Sequence, residues 1–340
     1  MAAEAADQVL LGAVDLGGSH IGLALGFVDV DAGNYRLVAR RNLEGGGYDG
    51  WEPMLDRIAE GLLELQREVG RRPAAVGVGC PGWVDLEAGV TRFLPNLPGQ
   101  WRDVPVARLL GERLETPVRL LNDVRGATLG EFLFGAGHGV STMALFALGT
   151  GIGGGVVIEG RLRLGPLGSA GELGHQIVDP TGPLCGCGNR GCLEAVASGP
   201  AIGAAGVRLL RSGQAPILQK IAGGDTEKVN AETMGEAARA GDESVAQELE
   251  RIAGLVGIAA ANVVVALHPD LIVLGGGVAG LGDLLFDGVR RTIAERVRVF
   301  PIDDVRVEPA ALGTDAGLAG VLAWAASGGG AAFGGDRNHG

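Results

Sequence analysis

The chain is short of positive charge: it sets 28 Lys and Arg against 40 Asp and Glu, a formal net charge of −12. A chain of that sign repels nucleic acid and anionic membrane, so a general polyanion-binding role is disfavoured. A phosphate-bearing ligand is still admitted, because backbone amides bind phosphate without net positive charge. The first residues also lack a basic n-region, since Met1 to Gln8 carry Glu4 and Asp7, and no secretory leader is expected. No uncharged apolar run reaches about 18 residues with the flanks of a membrane span. Ala253–Leu267 comes nearest, but it is short, contains Asn262 and reads as a buried helix. Cytoplasmic localisation follows, with neither nucleic acid nor membrane as partner. Cysteine is scarce too: Cys80 stands alone, and Cys185, Cys187 and Cys192 cluster. Three clustered cysteines in a cytosolic chain point to a metal before a disulfide.

What is abundant is glycine, 62 residues, within a chain that is 46% hydrophobic. The glycines are not periodic. They gather in short clusters such as Gly17-Gly18, Gly149 to Gly155 and Gly275 to Gly277, where tight turns and close backbone approaches are expected. A length of 340 residues suits two domains.

Along the chain, Val9–Val14 is an apolar run ending at Asp15, and Ile21–Val28 resumes after a glycine turn. This reads as strand, turn, strand, with a third strand over Tyr35–Arg41. Leu55, Ile58, Leu62, Leu65 and Val69 recur at helical spacing, which predicts a helix over Trp51–Val69. Buried strands are predicted over Ala74–Val78 and Pro117–Leu121, the latter followed by helix Val124–Phe132. Ser141–Leu148 then runs through Gly149-Thr150-Gly151-Ile152-Gly153-Gly154-Gly155 into Val156–Ile158, repeating the opening plan about 135 residues on. A long helix over Val245–Leu267, a strand over Leu271–Leu274 and a last helix over Ala316–Ala326 complete the α/β reading. The expected domains are 1–120, completed by the helix at 315–326, and a larger domain over 121–314. Residues 327–340 are expected to be a disordered tail.

Three glycine clusters end strands, which signals a nucleotide in an interdomain cleft. In Asp15-Leu16-Gly17-Gly18-Ser19 the glycines point amides at phosphate, Ser19 adds a hydroxyl, and Asp15 suits Mg²⁺ held through water. An ordinary glycine hairpin is the alternative there. The run from Gly149 to Gly155 is neither a Walker A loop nor a Rossmann fingerprint. Gly275-Gly276-Gly277-Val278 follows a buried strand, where the backbone suits close approach to adenine or ribose. His175, Cys185, Cys187 and Cys192 match a tetrahedral Cys₃His zinc site with no open position, so a structural zinc is expected. Asn122-Asp123 ends a buried strand. It reads equally as a catalytic carboxylate for phosphoryl transfer and as a helix N-cap.

Together these segments resemble the ROK family of bacterial sugar kinases and sugar-responsive repressors. The resemblance runs from about Val9 to about Ala326. It is carried by Val14 to Ser19, Cys80-Pro81-Gly82-Trp83-Val84-Asp85, Leu94 to Pro98, Leu121-Asn122-Asp123, Leu148 to Gly155, Gly171-Glu172-Leu173-Gly174-His175, Cys185 to Glu194 and Leu274 to Gly277. It implies a two-domain actin-like (ribonuclease H-like) ATPase fold and ATP-dependent phosphorylation of a hexose 6-hydroxyl, foremost glucose. It makes Asp123 the general base and Asn96, Asn122, Asp123, Glu172, His175 and Glu194 the sugar-binding set. ATP and Mg²⁺ would meet Asp15, Gly17, Gly18, Ser19, His20, Thr150, Gly151, Gly153, Gly276 and Gly277. A homodimer or homotetramer is implied as well. His20, Arg125 and Gly126 depart from the family's usual residues. Another acceptor therefore stays open: N-acetylmannosamine, fructose, kanosamine or a C7-cyclitol. A repressor of the family would carry a DNA-binding segment before the first loop, and only fourteen residues precede Asp15.

Overall fold

The computed structural model describes residues 8–17, 20–45, 50–94 and 101–331. The chain forms two compact units. One comprises Met1–Ser141, Val156–Gly171 and Ala311–Gly340, the other Thr142–Gly155 and Glu172–Ala310.

The first unit begins with β1 (Leu11–Leu16), β2 (His20–Asp29), β3 (Asn34–Glu44), α1 (Trp51–Val69) and β4 (Val76–Cys80). There follow β5 (Trp83–Asp85), β6 (Val90–Phe93), α2 (Val106–Leu114), β7 (Val118–Asn122) and α3 (Asp123–Phe134). Its sheet has the order β3-β2-β1-β4-β7. The β1–β2 and β2–β3 pairs are antiparallel, and β4 and β7 add in parallel. Residues of β1 alternate between two cores, as the pleat requires. Val14 and Leu16 join Met54, Leu55, Ile58 and Leu65 of α1 on one face. Leu11 and Ala13 meet Leu318, Val321 and Leu322 of the C-terminal helix on the other. By the same alternation Asp15 points to the C-terminal helix side.

The chain continues through β8 (Met143–Leu148), β9 (Ile152–Ile158), β10 (Arg161–Leu162), α4 (Leu193–Ala197), α5 (Gly199–Arg211), α6 (Pro216–Ile221), α7 (Ala231–Arg239) and α8 (Glu243–Leu267). It ends with β11 (Leu271–Gly275), α9 (Asp283–Arg296), β12 (Arg306–Pro309) and α10 (Ala316–Ala326). The second sheet has the order β10-β9-β8-β11-β12, with β8, β11 and β12 parallel. This is the strand order of the first sheet over again. Among the described residues α8 alone is long and apolar enough to cross a membrane by composition, but 56% of its apolar window is buried. It contacts α4, α5, α7 and α9 as a core helix.

The helix α10 is buried throughout, from Ala316 to Ala325, against β1, β4 and α3. It approaches α3 closely: a Cβ on Gly320 would lie 1.7 Å from the Gly126 carbonyl oxygen. The small residue at 126, read from sequence as a departure, is thus part of a backbone-to-backbone helix contact.

Most predicted elements shift by a residue or two, and α1 and α10 match to the residue. The first boundary differs more. Sequence places it near residue 120, whereas the first compact unit runs to Ser141. The cause is that β7 is the edge strand of the first sheet and α3, which follows without a break, packs on α10. Residues 327–331 of the predicted tail are instead bonded to the fold. Gly329 N–H donates to the Trp324 carbonyl at 3.3 Å, and the Ala331 carbonyl accepts from Leu162 at 3.0 Å. Residues 332–340 lie outside the described residues.

Candidate active site

In the first unit, Asn122 and Asp123 stand where β7 turns directly into α3. The Asn122 side chain is the N-cap of α3, its oxygen accepting from Val124 N at 3.1 Å and Arg125 N at 3.2 Å. The same oxygen accepts from Arg125 Nη1 at 3.0 Å, while Nδ2 donates to the carbonyls of Gly82 at 3.1 Å and Cys80 at 3.4 Å. The carboxamide is therefore committed to the scaffold. Asp123 is half-buried in the first helical turn, where one carboxylate oxygen accepts from its neighbour Val124 N at 2.8 Å.

Asp15, at the end of β1, is pushed up to about 6, first by burial and then by the negative charge of Asp123. Cys80, fully buried beside them, has its thiol pushed up by burial and by both carboxylates, so it is an inert neutral group. Gly17 N–H donates to the His20 carbonyl at 3.0 Å, closing the turn into β2, and His20 itself is exposed. Gly18, Ser19 and Asn96 lie outside the described residues.

In the second unit the two glycine clusters come together. Gly149 N–H donates to the Gly151 carbonyl at 2.9 Å, and Thr150 and Gly151 are exposed at the tip of the turn. Gly276 lies against the Leu148 carbonyl, and Gly277 opens a short 3-10 turn. The start of α5 joins them through Gly199 N–H, which donates to the Gly149 carbonyl at 2.8 Å. Sequence reading did not single out Gly199. Its signal is Ser198-Gly199-Pro200, with Pro in the first helical turn. Gly153 is half-buried within β9.

His175, Cys185, Cys187 and Cys192 also converge in this unit, their ligand atoms all within 4.8 Å of one another. Cys187 Sγ and Cys192 Sγ are 3.6 Å apart, and Cys185 Sγ is 3.7 Å from His175 Nδ1. A zinc tetrahedron with Zn–S of about 2.3 Å and Zn–N of about 2.0 Å has edges of roughly 3.5–3.8 Å. The donor set fits that ion, and these two separations are close to such edges. The loop is shaped by the Cys185 amide donating to the Asn189 carbonyl at 2.7 Å. Gly191 has φ 68°, and a Cβ there would lie 1.5 Å from the Asp179 carbonyl oxygen, so no other residue fits. The Asn189 amide lowers the Cys187 thiol, whereas burial pushes Cys192 up to about 12. A divalent cation is what would let all three sulfurs carry charge together.

Glu194 follows Cys192 into α4. Its Oε2 accepts from the Ile152 amide at 2.9 Å, and its Oε1 lies 3.8 Å from Cys185 Sγ. It touches both the glycine turn and the metal cluster. Glu172 is exposed, and its carbonyl accepts from His175 N at 3.1 Å.

The comparisons with known proteins agree with this layout. The model of the ROK family matches residues 11–327. The chain is 38% identical to the glucokinase of Thermotoga maritima over 90% of its own length and 94% of that protein. The solved ROK hexokinase of Thermus thermophilus superposes with a TM-score of 0.78 at 33% identity, covering 94% of this chain and 99% of that one. A ROK family glucokinase from Streptomyces griseus, solved with glucose and AMPPNP, gives 0.77 at 32% identity over the same shares. The α/β fold with its twice-repeated strand order is that of the actin-like ATPases. The chain belongs to the ROK family.

Proposed function

We propose that this protein is an ATP-dependent kinase that phosphorylates glucose at the 6-hydroxyl, with Asp123 as general base. The observation that carries the reading is the half-buried Asp123 carboxylate at the β7–α3 turn, in a chain similar to glucokinases over most of its length. Asp123 takes the hydroxyl proton as the sugar oxygen attacks the γ-phosphorus. The bond from phosphorus to the bridging oxygen breaks, its electron pair leaving on ADP, and the proton ends on Asp123.

Glu172, His175 and Glu194 supply hydrogen bonds to the sugar hydroxyls, together with Asn96. With Nδ1 of His175 turned to the sulfur cluster, Nε2 is the nitrogen left for the sugar. Zinc at the cluster acts through structure, holding the loop that places His175 and Glu194. Asn122 caps α3 and supports Asp123 through its oxygen and its amide, and it stays in the proposed sugar-binding set. Phosphate is received by the amides at Gly17 to Ser19 with His20 adjoining, and by Thr150, Gly151 and Gly153. Gly276 and Gly277 take the nucleoside. Asp15 holds Mg²⁺ through water. Its closeness to Asp123, which makes its own charge costly, is what a divalent cation would relieve. Assembly as a homodimer or homotetramer belongs to the same reading and is read by light scattering.

The test is ADP release with Mg-ATP against glucose, mannose, fructose, N-acetylmannosamine, kanosamine and a C7-cyclitol. Glucose is expected to give the highest kcat/KM. A better analogue would move the acceptor while keeping the chemistry. Asp123→Asn is expected to lower kcat by about 10²–10⁴-fold with an unchanged melting temperature. Near-normal turnover would remove Asp123 from the base role.

A further inference from the structure

Arg125 is an unusual side chain to find inside the first unit. It is a full-length guanidinium only 1% exposed, two residues past the expected base. Burying such a group requires that its fixed fork of donors be met by acceptors. Nε donates to the Ala170 carbonyl at 3.0 Å, Nη2 to the Ser169 carbonyl at 2.9 Å and Nη1 to Asn122 Oδ1 at 3.0 Å. One planar group thus joins the β7–α3 corner to a segment 44 and 45 residues further along the chain.

That segment has little else to hold it. Gly165, Gly168 and Gly171 all have positive φ, at 70°, 70° and 93°, and no helix or strand covers residues 163–171. Its other ties include the Arg163 amide on the Val156 carbonyl at 2.7 Å at its start, the Ala170 amide on the Leu164 carbonyl at 2.9 Å, a long Gly168–Gly165 contact at 3.4 Å and the Trp83 indole on the Leu167 carbonyl at 3.2 Å. Glu172 is the second residue beyond Ala170, and its carbonyl begins the turn that carries His175.

We propose that Arg125 is a positioning residue for acceptor binding: its guanidinium fixes the Ser169–Ala170 segment relative to Asp123, and so sets where the chain delivers Glu172. This rests on the reading of the protein as a sugar kinase. A planar fork can hold two successive carbonyls and a carboxamide oxygen at once, whereas an ammonium is a point charge that reaches one of them.

The experiment compares wild type with Arg125→Lys and Arg125→Met. Arg125→Lys keeps the charge and the aliphatic stem, and it carries the test alone if Arg125→Met is insoluble. In Arg125→Lys the KM for the acceptor sugar is expected to rise about tenfold, with the KM for ATP within twofold of wild type. Peptide hydrogen exchange over residues 164–172, measured without ligand, is expected to quicken while that over α1 is unchanged. An acceptor KM within twofold of wild type would overturn the proposal. So would equal rises in both KM values, which mark a general loss of structure. Should the wild-type protein phosphorylate no sugar, the kinase reading fails by itself, and the exchange measurement still decides whether Arg125 holds the segment.

Discussion

The Glu194 carboxylate accepts a hydrogen bond from the Ile152 amide at 2.9 Å, across 42 residues of sequence. Cys192, two residues earlier, is a member of the sulfur cluster, and Ile152 is the first residue of β9, directly after the glycine turn that leaves β8. A single carboxylate therefore ties the metal loop to the turn expected to meet phosphate.

Replacing Glu194 by Ala removes the acceptor and leaves a buried amide unmet, a change of about 1–3 kcal/mol. Glu194→Gln retains a carbonyl oxygen for Ile152 but loses the charge. The alanine variant is expected to lose stability in urea titration and the glutamine variant to keep most of it, while the KM for glucose rises in both. An alanine variant as stable as wild type would mean that the Ile152 bond contributes nothing.

Cys187 is the exposed member of the cluster, and the Asn189 amide lowers its thiol. Purified protein is expected to hold one zinc per chain by elemental analysis. Cys187→Ser should lose it, lower the melting temperature and reduce kcat/KM for the sugar by about 10–100-fold. Metal-free wild-type protein with full activity would overturn the structural role of zinc.

Asp15 has its carboxyl raised from 3.8 to about 6 in the folded protein, first by burial and second by Asp123. The folded state holds that proton more tightly than the unfolded chain. The stability it contributes is complete below about pH 4 and is lost as pH rises to about 6, by about 3 kcal/mol in all. Asp15→Asn cannot ionise. Urea denaturation from pH 4 to 7 is expected to show a falling contribution in wild type that is missing from the variant. Parallel profiles would remove Asp15 as its source. Mg-ATP turnover of Asp15→Asn is expected to fall as well.

The contact between Gly320 and Gly126 leaves no room for a methyl group, since the added Cβ would lie 1.7 Å from a backbone oxygen. Gly320→Ala is expected to cost about 2–4 kcal/mol by forcing α10 away from α3. Thermal denaturation reads this directly, and a shift under about 1 °C would show that the helices separate without strain.

Much of the architecture is legible along the chain because it depends on local periodicity. The apolar spacing of Leu55, Ile58, Leu62 and Leu65 marks α1 to the residue, and the unbroken apolar run Ala316–Ala326 marks α10. The hairpin β5–β6 passes unnoticed because its strands are only three and four residues long. Its turn does carry a signal, the Ala88 amide bonding back to Asp85 at 3.0 Å ahead of Gly89. The domain boundary is read too early because a strand end and a domain end look alike in sequence. Only the edge position of β7 and the contact of α3 with α10 keep residues 121–141 in the first unit.

The four candidate metal ligands, which the fold brings together, are marked by residue type and spacing alone, since cysteines two and five positions apart around glycines have few other uses. For Asp123 the end of an apolar strand leaves a catalytic carboxylate and a helix N-cap equally open, and only the resemblance to the ROK family implies the base. Tertiary structure decides the neighbours. That the Asn122 side chain also bonds Arg125, Gly82 and Cys80 depends on those groups coming within reach. Whether Glu194 reaches a glycine turn depends on how α4 leaves the metal loop. Whether Arg125 is a solvated charge or a buried clamp depends on residues 44 positions away. Periodicity and spacing are properties of neighbours along the chain. Hydrogen-bond partners brought together by strand register and helix packing are not, and they determine what each polar side chain has left to offer a substrate.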